Sequence, residues 1–118
     1  MSDAKDDLFG DDPEARKVLE EIDAHGRAIF RLICDYADEH ELSDEFVSDM
    51  AFEAGVHLRM LAYVRETAKP SASGLKLDLD RCRRDLDDVF RDYKKAADEY
   101  VRATKEAIED AEEGGAPN

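Results

Sequence analysis

The sequence predicts an all-α fold, an antiparallel three-helix bundle with a long C-terminal helix and disordered acidic tails. Apolar residues recur at intervals of three and four along most of the 118-residue chain, which is the period of an amphipathic helix. Glycine and proline are scarce in the middle of the chain and tryptophan is absent, so little of the sequence suits β-hairpins or long catalytic loops. With 42% hydrophobic residues, the chain has material for one modest core and therefore for one domain.

The bundle domain is expected to cover residues 12–112, between two acidic tails. Residues 1–11 are short, acidic and without apolar periodicity, which is typical of disordered segments, and residues 113–118 are expected to form a disordered C-terminal tail. The net charge of −14 is concentrated at the two ends, because residues 1–14 carry −5 and residues 109–118 carry −4.

The first helix is predicted to begin at Pro13 and to end near His40. Asp11 or Asp12 can cap its start. Pro13 suits the first helical position, because a backbone N–H there would have no hydrogen-bond partner within the helix and proline lacks that N–H. One arc of this helix is apolar and the opposite arc is charged. The apolar arc contains Ala15, Val18, Leu19, Ile22, His25, Gly26, Ile29, Phe30, Leu32, Ile33, Tyr36 and Ala37.

The second helix is predicted to follow Ser43, a favourable N-cap residue, and to end before Pro70. Its main apolar stripe contains Phe46, Val47, Met50, Ala54, His57, Leu58, Leu61 and Val64. A second stripe lies well round the helix from the first and contains Phe52, Val56, Met60 and Tyr63. One helix with two apolar stripes needs two neighbours, so we expect this helix to be the middle of a bundle or half of a dimer contact.

The third helix is predicted to run from about Asp78 to about Glu112, after residues 71–74, whose Ser-Ala-Ser-Gly composition is typical of a linker. Such a helix would be on the order of 50 Å long, against on the order of 37 Å for the second helix. Its far end is therefore expected to overhang the bundle or to pack on something outside the chain.

Two Glu-x-x-x-His pairs are candidate metal ligands, namely Glu21 with His25 and Glu53 with His57. Residues four apart lie on the same side of a helix, and carboxylate and imidazole groups at the edge of an apolar arc are suitable ligands in a bundle core. A di-iron centre of the usual bundle type is disfavoured, because it uses four glutamates and a spacing of three. The alternative interpretation is a local ion pair between the two residues of each pair.

Leu8 and Phe9 are two large apolar residues in an otherwise acidic tail, which is typical of short motifs that dock into hydrophobic pockets. The acidic surface argues against direct nucleic-acid binding, which requires basic groups for phosphate contacts. No apolar run approaches the roughly 20 residues of a spanning helix, and the acidic N-terminus does not resemble a signal peptide. We therefore expect a cytoplasmic protein without membrane contact.

The leading functional hypothesis is a small acidic helical protein-interaction module, a regulator, adaptor or protein inhibitor without catalytic activity and with no need of a cofactor. No catalytic triad or Gly-rich phosphate loop can be assigned. The module is expected to be a homodimer that pairs through the second stripe of the second helix and through the long third helix, and to bind a protein partner. Two alternatives are a metal-binding bundle and an acidic decoy of nucleic acid such as a phage-encoded inhibitor.

Overall fold

The computed structural model describes residues 12–115, which form α-helices and no strand. The all-α prediction is therefore confirmed for this part of the chain. In chain order the four helices are α1 (Pro13–Glu39), α2 (Asp44–Glu66), α3 (Ala72–Lys95) and α4 (Ala97–Gly115).

Two compact units divide the chain, residues 1–55 and 56–118, and the boundary between them lies inside α2. The predicted N-terminal tail, residues 1–11, lies outside the described residues, as do residues 116–118. At the other end α4 continues to Gly115, three residues beyond the end predicted at Glu112.

α1 begins where the sequence predicts. Asp12 is its N-cap, and the side-chain carboxylate accepts a hydrogen bond from the backbone N–H of Glu14 at 3.1 Å. Pro13 occupies the first helical position, and the negative charge of Glu14 in the first turn is favourable next to the positive end of the helix dipole.

α1 ends in a Schellman motif centred on Glu41. The backbone N–H of Leu42 donates to the carbonyl of Ala37 at 2.9 Å, and that of Glu41 donates to the carbonyl of Asp38 at 3.3 Å. Glu41 has a φ of 56°, in the left-handed region that glycine usually occupies at this position. Ala37 is buried and Leu42 is half-buried, at the two positions that usually make the apolar contact of this motif.

α2 begins with the predicted cap. The hydroxyl oxygen of Ser43 accepts a hydrogen bond from the N–H of Phe46 at 3.2 Å, and the Ser43 carbonyl accepts one from the N–H of Val47 at 3.0 Å. Val47, at 8% exposure, and Ala37, at 3%, are the buried residues within residues 12–115. The core of the first unit therefore lies where α1 ends and α2 begins.

The connection between α2 and α3 is shorter than predicted, because α3 begins at Ala72 rather than near Asp78. Ser71 is the N-cap of α3, and its hydroxyl accepts a hydrogen bond from the N–H of Gly74 at 3.0 Å. The linker assigned to residues 71–74 is therefore wrong. Serine and glycine are tolerated in a first helical turn, where the backbone N–H groups have no helical partner and a side-chain oxygen can supply one.

The long third helix of the prediction is present as two helices that are separated by Ala96. Ala96 has a φ of −93° and a ψ of 4°, and its N–H is shared between the carbonyls of Asp92 and Tyr93, at 3.3 and 3.1 Å. The N–H of Tyr100 then donates to the Ala96 carbonyl at 3.0 Å. Hydrogen bonds at the helical spacing of four therefore continue on both sides of the interruption.

The charges around Ala96 favour a helix end and a helix start at this point, although neither glycine nor proline is present. Lys94 and Lys95 lie in the last turn of α3, and Asp98 and Glu99 lie in the first turn of α4. Cations are favourable at a helix C-terminus and anions at an N-terminus, so the sequence here contains an end signal followed directly by a start signal.

Apart from that small core, the helices of each unit leave their apolar faces exposed. In the first unit Ile29 is 58% exposed and Phe30 is 66% exposed, and in the second unit Tyr93 is 71% exposed. None of the helices within residues 12–115 combines the length and the apolar character that crossing a bilayer would require.

Replacing Glu41 with glycine should stabilise the protein, since a non-glycine residue in the left-handed region costs about 1 kcal/mol. Glu39→Gly is the matched control, because Glu39 is the last residue of α1 and glycine inside a helix destabilises by up to about 1 kcal/mol. Urea unfolding followed by circular dichroism, at one fixed protein concentration, measures both. A Glu41→Gly variant that is less stable than the parent protein would contradict the assigned Schellman geometry.

Candidate interaction surface

Tyr63 attaches the end of α2 to the start of α3. Its phenolic oxygen accepts a hydrogen bond from the backbone N–H of Ser71 at 3.2 Å. The ring lies so close to Gly74 that a Cβ atom placed there would overlap the phenolic oxygen and lie 3.0 Å from Cζ. Gly74 is therefore required by the packing of Tyr63, and the three residues form a clasp between the two helices.

An ion pair connects the same two helices further along. The Arg59 guanidinium donates to the Asp78 carboxylate, with a distance of 3.1 Å between Nε and Oδ2. The hydrogen bond with Asp78, and then the charge of that carboxylate, raises the pKa of Arg59 above its usual value. Both side chains retain contact with water, so the pair contributes to orientation more than to stability.

An open apolar groove of about 320 Å³ lies next to the clasp in the second unit. His57 and Met60 of α2 line it together with Leu75 of α3. Leu61 and Val64 complete the lining, so the groove contains three residues of the predicted main stripe together with Met60 of the second stripe. His57 therefore borders an apolar surface, as its position in the predicted arc indicates, while its side chain remains exposed.

The residues predicted to bind a partner fall into three groups. Phe52 is 55% exposed and Val56 is 42% exposed. Met60 and Tyr63 are half-buried, and Tyr63 is used in the clasp within its own chain. Leu8 and Phe9 lie outside the described residues.

The four predicted metal ligands, Glu21, His25, Glu53 and His57, are all exposed. Across residues 12–115, no three histidine, cysteine, aspartate or glutamate side chains come together in a group that could hold a metal ion. Metal binding by these residues stays a prediction from sequence. A Cβ atom placed at Gly26, next to His25, would meet no atom within 4 Å.

The most exposed apolar face of the second unit runs along α3 and α4, and we name it the α3–α4 stripe. It is defined by Leu86, Val89, Phe90, Tyr93, Tyr100, Val101 and Ile108, which are 38% to 71% exposed. The spacing places the four residues of α3 on one side of that helix and the three residues of α4 on one side of α4.

Ion pairs lie on the opposite side of the same helices. Arg91 pairs with Asp88 at 3.0 Å, and Arg102 pairs with Glu106 at 3.0 Å and also with Glu99. These residues lie roughly half a turn round the helix from the stripe. The charged side of α3 and α4 therefore carries ion pairs within the helices, while the large side chains of the apolar side are exposed.

Sequence reasoning did not find the clasp or the Arg59–Asp78 pair. The position of a tyrosine in an apolar stripe does not indicate that its hydroxyl will accept a hydrogen bond from the N-cap residue of the next helix. An ion pair between two helices depends on how the helices approach each other. A serine directly after Pro70 was the one available signal, since it is a strong N-cap candidate.

No protein-family model matches this chain, and no curated protein or solved structure is significantly similar to it. The fold and its surfaces define the class directly: an all-α protein, within the described residues, whose helices carry exposed apolar faces.

Gly74→Ala should destabilise the protein by about 1–3 kcal/mol, because the added methyl group forces Tyr63 out of the clasp. Gly26→Ala is the control, since its Cβ would meet open space and alanine is favoured over glycine in a helix by about 1 kcal/mol. Chemical denaturation gives both free energies. In a Tyr63→Ala background the effect of Gly74→Ala should disappear or change sign, and a cost that persists there would rule out the clasp as its cause.

Proposed function

We propose that this chain is a small acidic helical protein-interaction module, acting in the cytoplasm as a regulator, adaptor or protein inhibitor without catalytic activity, and that it works as a homodimer. The observation that carries the proposal is the exposure of the α3–α4 stripe. Tyr93 of α3 and Tyr100 of α4, at 71% and 69% exposure, each lie on a helix face together with aliphatic side chains. Contiguous apolar faces of this kind mark association surfaces, and tyrosine is enriched at them.

The scarcity of buried residues supports association as the source of stability. Folding must offset roughly 1–2 kcal/mol of backbone entropy for each ordered residue. Burying an exposed valine, leucine or phenylalanine contributes roughly 1.5–3 kcal/mol. With two buried residues within residues 12–115, each unit has little apolar burial of its own to set against that entropy. A partner that covers the exposed faces would supply it, as in dimers that have no stable folded monomer.

The predicted antiparallel three-helix bundle is part of this proposal. The connections before α2 and before α3 cover residues 40–43 and 67–71, and lengths of this order are usual between antiparallel neighbours in bundles. We infer that the bundle becomes complete when the apolar faces are covered.

The second stripe of α2 contributes to the same interaction. Phe52 and Val56 are exposed large apolar residues on that stripe, which supports a role in association. Tyr63 takes part in the clasp, so its contribution is to position α3 rather than to contact a partner. The motif Leu8-Phe9 extends the proposal to a second, heterologous protein partner, on the basis of the sequence alone.

Light scattering coupled to size-exclusion chromatography tests the homodimer. We expect a mass twice the 13.3 kDa of one chain over a series of protein concentrations. Leu86→Asp, which places a charge in the stripe, should shift the protein towards the monomer. Leu77→Asp is the matched control, because Leu77 is also an exposed leucine of α3 but lies about half a turn round the helix from Leu86.

The control should remain dimeric, and far-ultraviolet circular dichroism should show helix in both variants. A wild-type protein that is monomeric at every concentration removes the homodimer from the proposal. If both leucine variants remain dimeric, a dimer exists but does not use the stripe.

A further inference from the structure

We propose that two copies of this chain pair side by side, parallel and in register, through the α3–α4 stripe. The inference rests on the proposed homodimer and specifies its orientation. It is carried by the charges along the two edges of the stripe, which differ in sign.

The stripe contains one face of each of the two helices. Leu86 and Tyr93 lie on the same side of α3, and Thr104 lies on the same side of α4 as Val101 and Ile108. Ala96 separates the two helices; its N–H donates back to Asp92 and Tyr93, and its carbonyl accepts from the N–H of Tyr100. In the proposed dimer the face of each helix contacts the same face of the second copy.

In α3 one edge of the stripe is acidic. Asp85 and Asp92 lie beside it on the same side, seven residues apart, and Arg81 lies further round the helix on that side. The other edge in α3 is basic, with Arg83 and Lys94 next to the stripe. Asp87 also belongs to that side but lies further round the helix than either cation. All six of these side chains are exposed.

Symmetry decides which orientation suits such edges. A two-fold axis parallel to the helices places the acidic edge of one copy beside the basic edge of the other, on both sides of the contact. Asp92 then faces Lys94 of the second copy, and Asp85 faces Arg83, each with an offset of two residues. A two-fold axis perpendicular to the helices would instead place acid beside acid, which is unfavourable.

The charge balance supports a second copy rather than another partner at this surface. Residues 71–108 hold nine basic and nine acidic side chains, so two copies meet there without net repulsion despite a charge of −14 on each chain. The acidic residues within 109–113 come near each other in the parallel arrangement. They lie beyond the stripe, where salt screens charges over about 8 Å at physiological ionic strength.

Disulfide trapping tests the orientation. In a background of Cys34→Ser and Cys82→Ala, single cysteines are introduced as Leu86→Cys and Thr104→Cys and exposed to a glutathione redox buffer. In the parallel arrangement each variant alone forms a disulfide-linked dimer, because each residue meets its own copy. In an antiparallel arrangement only the mixture of the two variants forms one.

Each outcome has a distinct meaning. Cross-linking in the mixture alone overturns the parallel pairing. A dimer by light scattering that cross-links in neither experiment also overturns it, but leaves the proposed homodimer intact. A monomer by light scattering removes the homodimer itself, and the orientation with it.

Charge reversal provides a second measurement that does not depend on disulfide formation. Asp92→Lys and Lys94→Glu should each raise the Kd of the dimer by about tenfold, and the double variant should restore it. Asp88→Lys is the control, because Asp88 pairs with Arg91 on the opposite side of α3, and its Kd should stay within about twofold of the parent protein. A double variant no tighter than the singles would contradict the pairing of the two edges.

Discussion

The constraint on which the structure depends is that an amphipathic helix is stable in water only when its apolar face is covered. Short helices are marginal by themselves, and most of the stability of a helix in a protein comes from packing of that face. In the described residues, caps and turns define where each helix begins and ends, but Ala37 and Val47 are the whole of the buried core. The local structure is thus well specified while the burial that normally supports it is largely missing within each unit. We propose that an assembly of copies supplies that burial.

The contacts that do exist are concentrated at helix ends. Asp12 and Ser43 cap α1 and α2, and Ser71 caps α3 while its N–H is bound by Tyr63. These hydrogen bonds satisfy backbone groups that a helix terminus leaves without partners, and each contributes about 1 kcal/mol. These hydrogen bonds orient the helices but do not bury their apolar faces. Tyr63 differs from the other large residues of its stripe, because its hydroxyl accepts a hydrogen bond from Ser71 and its ring packs closely against Gly74.

The sequence predicts this local structure well because its causes are local. The starts of α1 and α2 follow from Asp12, Pro13 and Ser43, which act on backbone groups within four residues. The start of α3 was missed because a Ser-Ala-Ser-Gly segment suits both a linker and a capped first turn, and only the approach of Tyr63 selects the second. The interruption at Ala96 depends on charges at two helix ends that periodicity alone does not register. The packing of the helices and the grouping of the predicted metal ligands depend on distances between helices. The spacing of apolar residues along the sequence does not determine those distances.

The central claim is that a second copy covers the α3–α4 stripe. Amide hydrogen exchange of α4 at several protein concentrations tests it most directly, since protection in a helix stabilised by association depends on how much of the protein is associated. The account predicts that the amides of Ala97–Gly115 exchange slowly at high concentration and progressively faster on dilution. Exchange of α4 that is independent of concentration, whether slow or fast, would contradict it.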